Sequence, residues 1–183
     1  DKIVKQPVDH RTLHSRYADA GAAFMGEAVV ARKPFLLYVA FSHLHTPIVY
    51  DSSMYNNSRR GHYGNAVREL DNTVARLVGS LDTLKVANST LVLFTGDNGG
   101  GDTQCEFGGN NAPFVGEWQR EHGGGGTTGK TTTWEGGHRE PGLAVWPGHI
   151  PAASTSDALV SQLDLLPTLA LLAGAALPAT RTF

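Results

Sequence analysis

The sequence predicts an α/β domain: a layered, largely parallel sheet with helices on both faces. Three observations carry the prediction. Helical and strand-like hydrophobic patterns alternate along the chain. One short run, FLLYVAF at 35–41, is apolar on both alternating faces, as a strand covered on both sides must be. A second apolar run, TLVLFT at 90–95, ends abruptly in Asp97, Asn98 and glycines, the arrangement expected where a strand delivers polar groups to a sheet edge.

The elements follow in order. Residues 17–30, YADAGAAFMGEAVV, are alanine-rich with apolar residues at helical spacing and stop before Arg32-Lys33-Pro34. FLLYVAF follows as a central strand. Residues 65–84 place Val67, Leu70, Val74, Leu77, Val78 and Leu81 at i, i+3, i+4, i+7 spacing, an amphipathic helix. TLVLFT is the next strand. A glycine-rich excursion then runs from Gly99 to Gly137, too long for an ordinary connection and therefore a candidate functional loop. GLAVW at 142–146 reads as a strand closed by Pro147-Gly148, and a helix is expected from about 157 to 173. There is no internal repeat.

Composition narrows the function classes. The 183 residues suit one domain, and 40% hydrophobic with 17% charged residues describe a globular chain. A net charge of −2 without a basic run leaves no electrostatic footprint for nucleic acid. No apolar stretch reaches the ~18–20 uncharged residues of a membrane span. Glycine is enriched, 22 of 183 against an average of ~7%. A single Cys105 excludes an internal disulfide and a cysteine-rich zinc site. Asn56-Asn57-Ser58 and Asn88-Ser89-Thr90 are sequons, available for glycosylation in a secretory protein. The chain opens on Asp1-Lys2-Ile3 without a methionine, and a processed chain or a fragment is expected.

Four features could carry chemistry. Asp97 and Asn98 offer a carboxylate and an amide carbonyl, hard oxygens of the kind Ca²⁺ or Mg²⁺ takes; an Asp-Asn-Gly turn alone would use the same residues. Ser42-His43-Leu44-His45-Thr46-Pro47 follows the strand FLLYVAF directly. His45 is a candidate acid/base or oxyanion-binding group there, and one of the two histidines is expected to be a satisfied structural residue. Residues 124–131, GGGTTGKT, match the phosphate-cradling pattern G-x-x-x-x-G-K-[ST], but no apolar strand precedes them and Gly136, Gly137 and Pro141 oppose a following helix. Lys130 nonetheless sits in a glycine-lined loop where an ammonium can reach an oxyanion, or else it is a solvated surface lysine. Together His45, Asp97, Asn98 and Lys130 at one sheet rim would suit hydrolysis of a charged ester.

On the stretches PFLLYVAFSHLHTP, LVLFTGDNG, GKTTTWEGGHREPGLAVWPG and SQLDLLPTLALLAG, the sequence resembles the sulfatase family of the alkaline-phosphatase-like fold, the lysosomal arylsulfatases most of all. The resemblance implies that Asp97 and Asn98 are Ca²⁺ ligands, that His45 contacts the substrate sulfate and helps protonate the leaving oxygen, and that Lys130 binds the same sulfate. It implies a structural role for Glu135-Gly136-Gly137 and Arg139-Glu140-Pro141 beneath the site. The family nucleophile is a formylglycine made from the cysteine of C-x-P-S-R; Cys105 lies in Cys105-Glu106-Phe107-Gly108-Gly109 and does not match. No Asp-Asp pair completes the metal site. Residues 1–183 are therefore expected to be a partial catalytic domain. The formylglycine region would lie upstream and the C-terminal region beyond the other end, with a sulfated small molecule or glycan as substrate and a lysosomal or secreted address. Alone, the chain is expected to be inactive. A phosphatase, phosphodiesterase or phosphonohydrolase of the same fold, or a non-catalytic relic, are the alternatives.

Overall fold

The computed structural model describes residues 3, 5–101, 103–115, 121 and 128–177 of the chain. It divides into two units, 1–150 and 151–183.

In the first unit, Asp9 accepts from the Arg11 amide to open a short 3-10 turn, which leads into helix α1, Leu13–Val30. The helix ends where Arg32 turns left-handed (φ 54°) and the Lys33 amide reaches back to the Ala28 carbonyl, satisfying an end carbonyl before Pro34. Helix α2, Gly61–Thr83, closes in the same way at Lys85 (φ 59°), with Val86 donating to the Leu81 carbonyl. The two helices pack on each other, and Ala18, Met25, Ala66 and Leu81 are buried core residues. The buried face of α2 is not the predicted aliphatic stripe alone. Val67 and Val78 are exposed, whereas Asn65, Glu69 and Thr73 are buried, because each finds a hydrogen-bond partner that makes burial tolerable.

Residues 35–41 run beside α1 as an alternating stretch. Phe35, Leu37, Val39 and Phe41 are half-buried, while Leu36 and Tyr38 are 67% and 85% exposed. Phe35 meets Phe24 and Phe41 meets Tyr17 edge to face, at 6.4 and 5.8 Å between ring centres. The stretch forms no ladder among the described residues. Its one covered face lies on α1, and no described strand runs alongside to pair its backbone or cover the other face. The sheet that does form has two strands, β1 (Val92–Thr95) and β2 (Gly142–Val145), paired antiparallel with Val92 opposite Val145 and Thr95 opposite Gly142. The expected parallel sheet is not what these segments form: 35–41 joins no ladder among the described residues, and the strand at 142–145 pairs antiparallel with β1. Helices layered against extended segments are those of a partial α/β domain. A short helix, α3, spans Glu135–His138 despite containing Gly136 and Gly137. The sequence argued against it, and tertiary contact overrides propensity here.

In the second unit the helix starts later than its pattern suggests. Ser161 and Asp164 form a capping box around a 3-10 turn, and helix α4 runs Leu165–Leu172. A start near 157 would place Pro167 mid-helix, where it lacks an N–H and clashes with the preceding turn. The observed start puts Pro167 in the first turn, where no N–H is needed.

Candidate functional site

The β1–β2 register builds the first corner of the site. Because Thr95 pairs with Gly142, the residues leaving β1 and those entering β2 lie side by side. Glu140 accordingly packs on Gly96, so closely that a methyl group at Gly96 would overlap its carboxylate. Burial, and secondarily the negative charge of Asp97, push the Glu140 carboxyl above the ordinary carboxylate range. Tyr63 of α2 backs the corner; burial and then the Glu140 charge raise its phenol. Asp97 is exposed, and Asn98 donates its amide to the Gly99 carbonyl at 2.9 Å, which leaves the Asn98 Oδ1 as its outward acceptor.

A contact between glycines adds Lys130. Gly99 donates to the Gly137 carbonyl at 3.0 Å and lies against the Gly136 carbonyl with no room for a Cβ. In the same contact the Lys130 amide donates to the Gly100 carbonyl at 3.0 Å. The backbone of Lys130 thus touches the loop that carries Asp97 and Asn98. Its side chain is half-exposed and pairs with no carboxylate among the described residues. Thr131 follows at φ 75°, and turns continue to Glu135, so Lys130 opens no helix; most of the glycine run before it lies outside the described residues. A phosphate-binding P-loop needs that helix and is excluded.

The histidine segment is held differently. His43 is the structural histidine: its side chain is 4% exposed, and Nε2 lies 2.6 Å from Oε2 of Glu69, itself 1% exposed. His45 is exposed. Its amide donates to the Ser42 carbonyl at 3.2 Å and its Nδ1 lies 2.6 Å from the Thr46 carbonyl oxygen. A carbonyl only accepts, so Nδ1 carries the hydrogen and Nε2 is the nitrogen open to a ligand. No hydrogen bond or ion pair among the described residues joins His45 to Asp97, Asn98 or Lys130. Helix α2 is nevertheless a shared support: Tyr63 backs the Glu140 corner, and Glu69, six residues or about 9 Å further along the axis, holds His43.

Chemically, the Asp97 carboxylate and the Asn98 carbonyl fit a hard cation, but as part of a seat. Calcium takes about 6–8 oxygens, and the described residues hold no group of three or more His, Cys, Asp or Glu side chains placed to hold a metal ion. Cys105 lies in a short 3-10 turn, Cys105–Phe107. Reading the sequence overlooked Glu69 and gave Glu140 only a structural part. Glu69 lies off the aliphatic stripe, and its one signal was Thr73 four residues on, which back-bonds to its carbonyl at 2.8 Å.

Comparison with known proteins identifies the family. A family model described as Sulfatase matches residues 4–175. Arylsulfatase G of Mus musculus is 44% identical over 181 residues, covering 99% of this chain and 34% of that protein. N-acetylgalactosamine-6-sulfatase of Sus scrofa is 41% identical, covering 96% and 32%. Among solved structures, the PsFucS1 sulfatase from Pseudoalteromonas sp. superimposes with a TM-score of 0.84 at 28% identity, covering 97% of this chain and 34% of that one. The chain spans about a third of the length of the curated relatives it matches. The fold is the alkaline-phosphatase-like α/β fold of these neighbours, and the chain belongs to the sulfatase family.

Proposed function

We propose that these residues are part of a sulfatase catalytic domain, one that hydrolyses a sulfate ester of a small molecule or glycan. The observation that carries the reading is the glycine contact. It brings the backbone of Lys130 against the loop of Asp97 and Asn98, which supports reading the lysine and the two oxygen-bearing side chains as parts of one site in a family of sulfuric ester hydrolases. Exposed large apolar groups on the extended stretch and sheet, Tyr38 at 85%, Leu143 at 62% and Val145 at 57%, support a domain whose remaining parts lie outside residues 1–183.

Asp97 and Asn98 would hold Ca²⁺, which supplies positive charge against the sulfate oxygens. Lys130 binds a sulfate oxygen through its ammonium. His45, with Nδ1 committed to the Thr46 carbonyl, holds a proton at Nε2 when charged and delivers it to the leaving oxygen. The nucleophile, a formylglycine, belongs upstream of this chain. The two sequons fit a lysosomal or secreted address: Asn56 and Asn88 are both exposed. No described helix is long and apolar enough to cross a membrane.

The test is turnover by the full-length protein of 4-methylumbelliferyl sulfate against 4-methylumbelliferyl phosphate. Sulfate turnover that falls at least about 100-fold in His45→Ala and in Lys130→Ala supports the reading. Phosphate turnover alone assigns phosphoryl chemistry, and turnover of neither assigns a non-catalytic relic.

A further inference from the structure

Glu69 does more than satisfy a histidine. Its Oε2 takes His43 Nε2 at 2.6 Å and its Oε1 takes the Asp51 backbone amide at 2.7 Å. His14 of α1 lies against the same carboxylate, Nδ1 to Oε1 at 3.2 Å, a close contact not aligned as a hydrogen bond. One buried carboxylate therefore grips both ends of the segment 43–51, and that segment contains His45. Charge-assisted bonds to a buried carboxylate are among the stronger ones a protein makes. Among the described residues, His45 is tied only to Ser42 and Thr46, both close in sequence. Its position in space is thus set where the segment is anchored.

We propose that Glu69 is a positioning residue: by pinning His43 and Asp51 it fixes the loop that presents His45 to substrate. The inference rests on the role assigned to His45 above, and its structural half stands apart from that role. Glu69→Gln separates the two ends. The amide oxygen still accepts from Asp51, but the amide nitrogen meets the His43 Nε2–H as donor against donor. Moving that hydrogen to Nδ1 restores the bond only by leaving a buried N–H without a partner among the described residues.

Two measurements on the full-length protein test the proposal. In hydrogen–deuterium exchange, Glu69→Gln should speed exchange in 43–51 at least about tenfold while α1 and α2 keep their protection; unchanged exchange in 43–51, or a uniform rise across both helices, overturns the pinning. In kinetics, Glu69→Gln should lower kcat by about 10- to 100-fold with KM changed less than about threefold, as expected of a misplaced group. In a His45→Ala background the same substitution should change kcat less than about twofold, because the two act as a unit. Additive losses overturn the positioning role. If Glu69→Gln does not fold, His43→Ala carries both measurements with the same expected and refuting results. A wild-type protein without sulfate turnover refutes the functional reading, and the exchange result still decides the pinning.

Discussion

Gly99→Ala tests the contact that joins Lys130 to the Asp97 loop. A Cβ at Gly99 would overlap the Gly136 carbonyl oxygen, lie 2.8 Å from the Gly136 carbonyl carbon and sit 3.2 Å from the Gly137 Cα. Relaxed carbon contacts need about 3.5–4.0 Å. All three neighbours are backbone, so no side chain can swing aside and the two segments must part by roughly 1–2 Å. Overpacking of this kind costs about 1–3 kcal/mol. The Gly99–Gly137 hydrogen bond breaks with it, at about 1–3 kcal/mol for a buried group left unpaired. The sum is about 2–6 kcal/mol. A domain of this size loses ~2–4 °C per kcal/mol and a larger one less, so at the lower slope the expected fall in Tm is roughly 4–12 °C. Lys130 shifts with the loop, and a displacement of about 1 Å can cost ~100-fold in kcat. The assay is thermal unfolding and sulfate turnover of the full-length protein beside a control, Gly79→Ala. Gly79 lies within α2 with open space around its Cβ position, so alanine there should add about 0.5–1 kcal/mol. Wild-type melting and turnover in Gly99→Ala, or equal losses in both variants, would refute the reasoning.

Other outcomes follow from the same structure. Lys130→Ala should leave thermal unfolding within about 0.5 kcal/mol of wild type, as for a loop side chain outside the core, while cutting sulfate turnover; unchanged kcat removes Lys130 from the site. Calorimetric titration of Ca²⁺ into the full-length protein should lose its signal in Asp97→Ala, and the 183-residue chain alone should bind more weakly and turn over nothing. Aryl-sulfate hydrolysis by that chain would overturn the partial-domain reading. Glu140 is raised in the folded state, so it favours folding below its ordinary value near 4.5 and loses that contribution as pH rises through its folded value. In chelator, Glu140→Gln should therefore flatten the decline in stability above about pH 4.5; a decline as steep as wild type would count against the assignment. Expressed through a secretory route, the protein should shift on a gel after glycosidase treatment, through Asn56 and Asn88.

Hydrophobic periodicity and turn chemistry determined much of this protein. They located α1, α2, β1 and β2 to within a few residues, because the 3.6 and 2.0 repeats and their Gly and Pro boundaries are local properties of the chain. They also marked His45, Asp97 and Asn98 as candidates, since each follows an apolar run, and Lys130, since it lies in a glycine-lined loop. Tertiary structure alone decided the rest. The antiparallel register sets Glu140 on Gly96. Facing glycines at 99 and 136 let two backbones touch and draw in Lys130. Glu69 is buried because His43 and Asp51 of one segment and His14 of another converge on it. Each of these depends on atoms far apart in sequence, where a buried carboxylate or a crowded glycine leaves no periodic trace. Local pattern can place an element, but only the partners it meets decide which of its polar groups can be buried and which are left to act.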